Sequence, residues 1–238
     1  ALSPRSGRTF LDGDTAMNPH SLLAAERSAG AVLNGVELVM KGKHQGVFCA
    51  VRPPGHHAER DRAMGFCLFN NVAVAALAAL EEHGLSRVAI VDFDVHHGNG
   101  TENIVAGDQR ILFCSTFQHP FYPHLGAEPS ADNIINVPLA AGAGGTEFSR
   151  AVERHWLPAL DRFAPQLILV SAGFDAHRAD NMAGLTFVDS DYAWVTTELR
   201  RVANHSASGR IVSSLEGGYD LQALARSVEA HLRALMET

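Results

Sequence analysis

No apolar run in this chain is long enough to cross a bilayer. The longest, VAVAALAAL at 72–80, falls far short of the roughly 18 residues that a spanning helix needs. The opening stretch ALSPRSGRTFLDGDT has no apolar core, so no secretory leader is expected there. Basic charge is in deficit: 19 Lys and Arg stand against 26 Asp and Glu, a formal charge of −7. That excludes the basic field on which a non-specific nucleic-acid or anionic-membrane binder depends. It leaves a basic protein or peptide open as a substrate. Cysteine is scarce too. Cys49, Cys67 and Cys114 are scattered and odd in number, so neither a disulfide framework nor a CxxC metal knuckle is implied. A reducing compartment, the cytoplasm, is expected. Linkers, repeats and low-complexity segments are missing, which makes one domain over 1–238 the economical reading.

What remains is a chain with 46% hydrophobic residues, ample for a buried core. Apolar, strand-like runs alternate with helical patterns. Helices are expected over 19–40, with Asn18 as cap and Pro19 at the first position, and over 70–84, closed by Gly84. Others are expected within 144–160 with Thr146 as cap, over 189–206, and over 221–237 with Asp220 as cap. Strands are expected at 46–51, 87–94, 110–117, 166–175 and 209–218. Continuously apolar strands separated by helices indicate an α/β fold, with a parallel sheet covered on both faces.

Four of these strands run into polar residues: RPPGHH after the first, VHHGNG after the second, Asp175 after the fourth and Tyr219 after the fifth. Ligands of open parallel sheets bind at the strands' carboxyl ends, so four stretches aim their chemistry at one edge. In VDFDVHHGNGTE (91–102), Asp94 and His96 are two apart and point the same way if the strand continues past residue 94. An Asp and a His after a strand can merely cap the next helix. A cap needs one acceptor, though, and this stretch holds two acids and two imidazoles. Asp94, His96 and Asp175 therefore form a candidate ligand set for one divalent ion, leaving a position open for water or substrate. His56 and His57 sit on a loop stiffened by Pro53 and Pro54. Such a pair is often just exposed, but on a turn both rings can border a cavity. One neutral imidazole beside a metal-bound water can act as general base, and its conjugate acid can protonate a leaving amine. Tyr219 follows Gly217 and Gly218, which permit close approach. Its phenol can donate to a developing oxyanion, although a tyrosine there is more often only packed. His177 is placed beside the metal site rather than in it. The remaining histidines, including His231, read mostly as surface or loop.

Together RPPGHHAERDRAMGFCLFNN, VDFDVHHGNGTE, SAGFDAHRAD and LEGGYD resemble the zinc-dependent histone deacetylase family. The class II branch and its bacterial relatives, acetylpolyamine amidohydrolases included, are most similar. The resemblance runs from about residue 10 to 235. It implies an arginase-like three-layer α/β/α sandwich and hydrolysis of an N-acyl amide. The substrate would be an acetylated lysine side chain or a small acetylated amine. By motif, Asp94, His96 and Asp175 would hold one zinc ion, with His57 the base and acid. Asp92 would orient His56, Asn99 would partner His57, and Tyr219 would bond the scissile carbonyl. Gly65, Phe66, Tyr122 and Met182 would wall a narrow tunnel, together with Gly217 and Gly218. An apolar Met182 where polyamine-selective relatives carry a Glu favours acyl-lysine. A structural K+ or Na+ would sit on main-chain oxygens of Asp92, Asp94 and His96, with Ser115 and Thr116. Family members also carry a segment before the position of Ala1, with a first strand and a rim loop whose acid grips the substrate backbone. Both are expected to be missing from this sequence. Two rival functions are a binuclear manganese ureohydrolase of the same fold and a non-catalytic acyl-lysine binding module. The oligomeric state is left open.

Overall fold

A computed structural model describes residues 3–237 of the chain. In chain order the elements are β1 (Thr9–Phe10), β2 (Ala16–Met17), α1 (Ser21–Met40), β3 (Gly46–Cys49), α2 (Asn71–Glu81), β4 (Val88–Asp92) and α3 (Asn99–Val105). There follow β5 (Ile111–Gln118), β6 (Ile134–Leu139), α4 (Gly145–Ala151), a π-turn (Val152–Trp156), α5 (Leu157–Phe163), β7 (Leu167–Ala172), α6 (Asp189–Ser206), β8 (Ile211–Leu215) and α7 (Leu221–Met236). β1 and β2 form a small antiparallel pair. The other strands form one sheet in the order β3-β8-β7-β4-β5-β6, with every neighbouring pair parallel.

Side-chain alternation along the strands builds the layers. Val88, Ile90, Leu167, Leu169 and Val212 pack under α1 and α2, against Val32, Val36, Ala75 and Ala79. Their neighbours Ala89, Val91, Ile168, Val170 and Ile211 face the other way, onto Trp156, Leu160, Tyr192, Val195 and Leu199. With both faces buried, each central strand reads as a continuous apolar run. The outcome is the expected three-layer α/β/α sandwich.

The strands end earlier than the apolar runs suggest. β4 stops at Asp92, β7 at Ala172 and β8 at Leu215, because the residues beyond leave the sheet to build the site. From β4 the chain proceeds through β5 to β6 on one side of the sheet. β7 and β8 lie on the other side. The carboxyl ends of β4 and β7 thus flank a switch point, where an open α/β sheet leaves a crevice.

Several local expectations are corrected. Helix α1 begins at Ser21, not Pro19, because Asn18 Oδ1 accepts the His20 N–H at 2.8 Å in a tight turn before the helix. Thr146 is not the cap of α4. Gly144 holds that position, and Glu147 reaches back to its N–H at 3.0 Å. The helix expected within 144–160 is broken by the π-turn just ahead of Pro158, which has no N–H to donate and crowds the preceding turn. Asn70 caps α2 by accepting from the Ala73 N–H at 3.0 Å. Asp220 caps α7 in the same way, as expected, from Ala223 at 2.8 Å. His231 is not at the surface. It is fully buried, with Nδ1 2.6 Å from Thr196 Oγ1 and Nε2 2.8 Å from Ser213 Oγ.

Candidate active site

The chain turns sharply just after β4. Asp92 Oδ1 accepts the N–H of Asp94 at 3.0 Å, and Asp94 Oδ1 accepts the N–H of His96 at 2.9 Å. These are two successive Asx-type turns, in which a short acid side chain bonds the backbone two residues on. The extended conformation does not continue past residue 94. Asp94 and His96 converge through this turn instead of through strand alternation. Across the switch point, Asp175 Oδ1 accepts the Val95 N–H at 3.0 Å and ties the end of β7 to the same turn.

One ligand atom from each of Asp94, His96 and Asp175 lies within 4.8 Å of the others, and all three residues are buried. His96 Nδ1 is 3.0 Å from Asp94 Oδ1 and 3.2 Å from Asp175 Oδ2. Two ligands of one tetrahedral zinc, each about 2.0–2.2 Å from it, lie about 3.3–3.6 Å apart. Both separations fall short of that range by a few tenths of an ångström or less, so a small outward shift of the three groups would seat a single divalent ion. The bonding supports the fit. The one Nδ1 proton of His96 serves Asp94, and Asp175 Oδ2 is left buried without a hydrogen bond among the described residues. Gly217 allows the approach: a Cβ there would lie 2.1 Å from Asp175 Oδ2. Its N–H also donates to Asp94 Oδ2 at 2.8 Å.

The electrostatics agree. Burial pushes Asp175 up to about 6, and the neighbouring Asp94 charge adds to it. Burial opposes charge on His96, yet Asp175 and Asp94 push it up to about 10. Two buried acids set close together beside an imidazole are a site that a dication can stabilise by taking the place of a proton.

The histidine pair faces this cluster. His56 Nδ1 lies 3.0 Å from Asp92 Oδ2, and His57 Nδ1 lies 2.8 Å from Asn99 Oδ1. Their ring centres are 4.0 Å apart, and their surroundings divide them. Burial disfavours a charged His56, but Asp92 and Asp94 push it up to about 10. His57 is held well below its ordinary value by burial and by the His56 charge. The surroundings thus favour the charged form of His56 and the neutral form of His57, which can accept a proton. Burial, reinforced by Asp175 and Asp94, raises Tyr219, so its phenol keeps the proton it would donate.

A cavity of about 190 Å³ joins these groups, lined by His56, His57, Asp94, His96 and Tyr219. Gly65, Phe66, Tyr122, Met182 and Gly217 also line it. Gly65 has φ 56°, and a Cβ there would meet the His57 ring at 2.3 Å. Gly218 is not part of the wall, since its Cβ position faces Leu224 at 2.7 Å and Phe174 at 3.3 Å. His177 supports none of the three ligands: Nδ1 accepts from the Ala179 N–H at 3.0 Å, and Nε2 lies 3.3 Å from Asp189. Ser115 pairs with Asp92 across β4 and β5. Ser115 Oγ is buried with no hydrogen-bond partner among the described residues, which fits a monovalent cation held beside the Asp92–His96 turn. Thr116, next along β5, points its side chain to the other face of the sheet and offers only its main-chain oxygen there.

Four residues of the site lack a sequence signal of their own. Asp14 lines the cavity, so an acid does stand at this site, supplied by the chain's own early residues. Glu216 is fully buried and accepts the N–H groups of Gly55 at 2.6 Å and His56 at 3.1 Å, fixing the histidine loop. Asp180 accepts the N–H groups of Tyr219 at 2.5 Å and Asp220 at 3.0 Å. Glu59 accepts from Asn99 Nδ2 at 2.7 Å. Glu216, Asp180 and Glu59 lie within the recognised motif stretches, which is the only hint the sequence offers for them.

Residues 2–235 match the family model described as the histone deacetylase domain. The chain is 40% identical to histone deacetylase 14, chloroplastic, of Arabidopsis thaliana, over 97% of this chain and 56% of that protein. It is also 40% identical to the histone deacetylase-like amidohydrolase of Pseudomonas aeruginosa, over 92% of this chain and 59% of that protein. The chain thus spans little more than half the length of these relatives. The crystal structure of the HDA15 HD domain superposes with a TM-score of 0.90 at 35% identity, covering 96% of this chain and 66% of that one. This chain belongs to the histone deacetylase family of hydrolytic deacetylases.

Proposed function

We propose that this chain removes the acetyl group from acetyl-lysine in proteins or peptides, using one zinc ion and releasing acetate and a free amine. The observation that carries the reading is a buried metal-ligand cluster, Asp94, His96 and Asp175, opening into the cavity that also holds His56, His57 and Tyr219. When bound, zinc supplies Lewis-acid polarisation of the amide carbonyl and a water acidified from 15.7 towards about 7. His57, neutral and bonded through Nδ1 to Asn99, takes the proton of the attacking water at Nε2. The Tyr219 phenol donates to the oxygen that gains charge. His57 then delivers its proton to the departing nitrogen. His56 stays cationic and bonded to Asp92, stabilising negative charge as it develops. Ser115 and Thr116 beside the turn support a K+ or Na+ that stiffens it.

Apolar Met182 in the cavity wall suits the methylene stem of lysine. Asp14 in the same wall favours a second reading, an acetylated polyamine whose distant amine is cationic. A binuclear manganese enzyme would need a second acidic cluster, and among the described residues only one group has metal-ligand spacing. No helix among them is long and apolar enough to cross a membrane. The free, buried Cys49, Cys67 and Cys114 suit a reducing compartment such as the cytoplasm. The test is turnover of a fluorogenic acetyl-lysine peptide by zinc-loaded protein, inhibited by a hydroxamate and measured against acetylated polyamine. Preference for the polyamine would favour the second reading, and turnover of neither would remove both.

A further inference from the structure

An asparagine side chain has nearly the same shape either way round, but one end only accepts and the other only donates. The orientation of Asn99 therefore decides which nitrogen of His57 carries the proton. With Oδ1 towards the ring, His57 Nδ1 donates and Nε2 is free to act as a base. With Nδ2 towards the ring, the proton moves to Nε2 and the base is lost. Asn99 alone does not choose between these states. An aspartate in its place would, because it only accepts.

The neighbours at the far end of Asn99 make the choice. Nδ2 lies 2.7 Å from Glu59 Oε1 and 3.3 Å from Met64 Sδ. A carboxylate and a thioether both accept and do not donate, so both ask for the amino end. Asn99 Oδ1 is left facing His57 Nδ1 at 2.8 Å. Glu59 is held in place by its own backbone, which bonds Arg62 O at 2.9 Å. It lines a second cavity, of about 270 Å³, with Asn99 and Glu102. Glu59 is absent from the wall of the substrate cavity, so it acts on His57 only through Asn99.

We propose that Glu59 is a positioning residue for the general base: through Asn99 it fixes His57 as the Nδ1–H tautomer. The inference rests on the reading of His57 as the base. It explains how an asparagine can stand behind a catalytic histidine, with the charge that sets the orientation one side chain further away.

The test is a set of exchanges on the zinc-loaded protein, with a tautomer measurement beside the kinetics. Glu59→Leu removes the acceptor. Glu59→Gln replaces it with an amide that can itself face either way. Each should lower kcat by about 10–100-fold, the usual cost of losing a supporting partner, with KM unchanged. Asn99→Asp should also be slow, because its carboxylate would face that of Glu59 across a hydrogen-bond distance. The double variant Glu59→Gln with Asn99→Asp restores a donor facing an acceptor, and should recover activity to at least about tenfold above Asn99→Asp alone. A merely structural Glu59 gives no such recovery. In parallel, 15N NMR of histidine-labelled protein, metal-free and zinc-loaded, reads the His57 tautomer, its signals assigned by their loss in His57→Gln. Wild type should show Nδ1–H alone, and Glu59→Leu a mixture or Nε2–H. A double variant no faster than Asn99→Asp, or an unchanged tautomer in Glu59→Leu, overturns the proposal. If wild type turns over no acetyl-lysine peptide, the functional reading fails instead, and the tautomer still tests the relay.

Discussion

The main-chain N–H of His96 donates to the carboxylate of Asp94, two residues back, at 2.9 Å. That bond folds the chain so that Asp94 Oδ1 and His96 Nδ1 end 3.0 Å apart. The ligand pair is therefore brought together by local backbone chemistry. Only Asp175 must be brought from a distant part of the chain, and it arrives already bonded to Val95.

Asp175→Ala should empty the metal site. It removes one of three ligands and the acceptor for the Val95 N–H. Partners one layer outside a metal are worth about 10–100-fold in affinity, so loss of a ligand should cost at least about 100-fold. Elemental analysis after dialysis against a weak chelator measures it. Full zinc retention would take Asp175 out of the ligand set.

Tyr219→Phe should leave zinc content and folding intact while kcat falls. One oxyanion donor is worth about 10²–10³-fold, and KM should move little. Steady-state kinetics with circular dichroism checks both halves, and a rate near wild type would end the assigned role.

Gly217→Ala should behave as a metal-site variant although glycine has no ligand atom. Its Cβ would lie 2.1 Å from Asp175 Oδ2 and 2.7 Å from Asp94 Oδ2, and the carboxylates would have to separate. Overpacking of a tight interior costs about 1–3 kcal/mol, so both the urea midpoint and zinc affinity should drop. Unchanged zinc affinity would mean that the carboxylates have room to move.

His231 predicts an acid-side loss of stability. Burial depresses it to about 3, against about 6.5 in an unfolded chain. The folded state holds it neutral, and the unfolded state takes up a proton more readily. Its contribution is intact above about pH 6.5 and fades as pH falls towards 3, at up to about 1.4 kcal/mol per pH unit. Urea midpoints between pH 7 and 4 should fall less steeply in His231→Leu than in wild type. Equal slopes would show that His231 is not part of the acid response.

Much of the fold is legible because the sheet is buried on both sides. VAIVD and LILVSA can be little else than central strands, and α6 runs from Asp189 to Ser206 as its acids and periodicity indicate. The edges are less legible. β6 carries an exposed Pro138 in a mixed, mostly half-buried pattern, which the sheet tolerates because an edge strand has a free side. The π-turn follows from a conflict between a helical pattern and Pro158, and the pattern alone does not say how that conflict is resolved.

At the site, the sequence by itself determined the chemistry: acids, imidazoles and a phenol at the ends of apolar strands, including the residues that can hold one divalent ion. Tertiary structure decided which atoms meet. Strand alternation predicted that Asp94 and His96 would align, but an Asx turn aligns them, because a carboxylate can bond the backbone more cheaply than a strand can continue without partners. Periodicity has nothing to say about Glu59, Asp180, Glu216 or Asp14. Glu59 meets Asn99, Asp180 meets Tyr219, Glu216 meets Gly55, and Asp14 joins a cavity wall built from residues far along the chain. These contacts link loops that follow different strands, and they exist only once the sheet has set those strands in order.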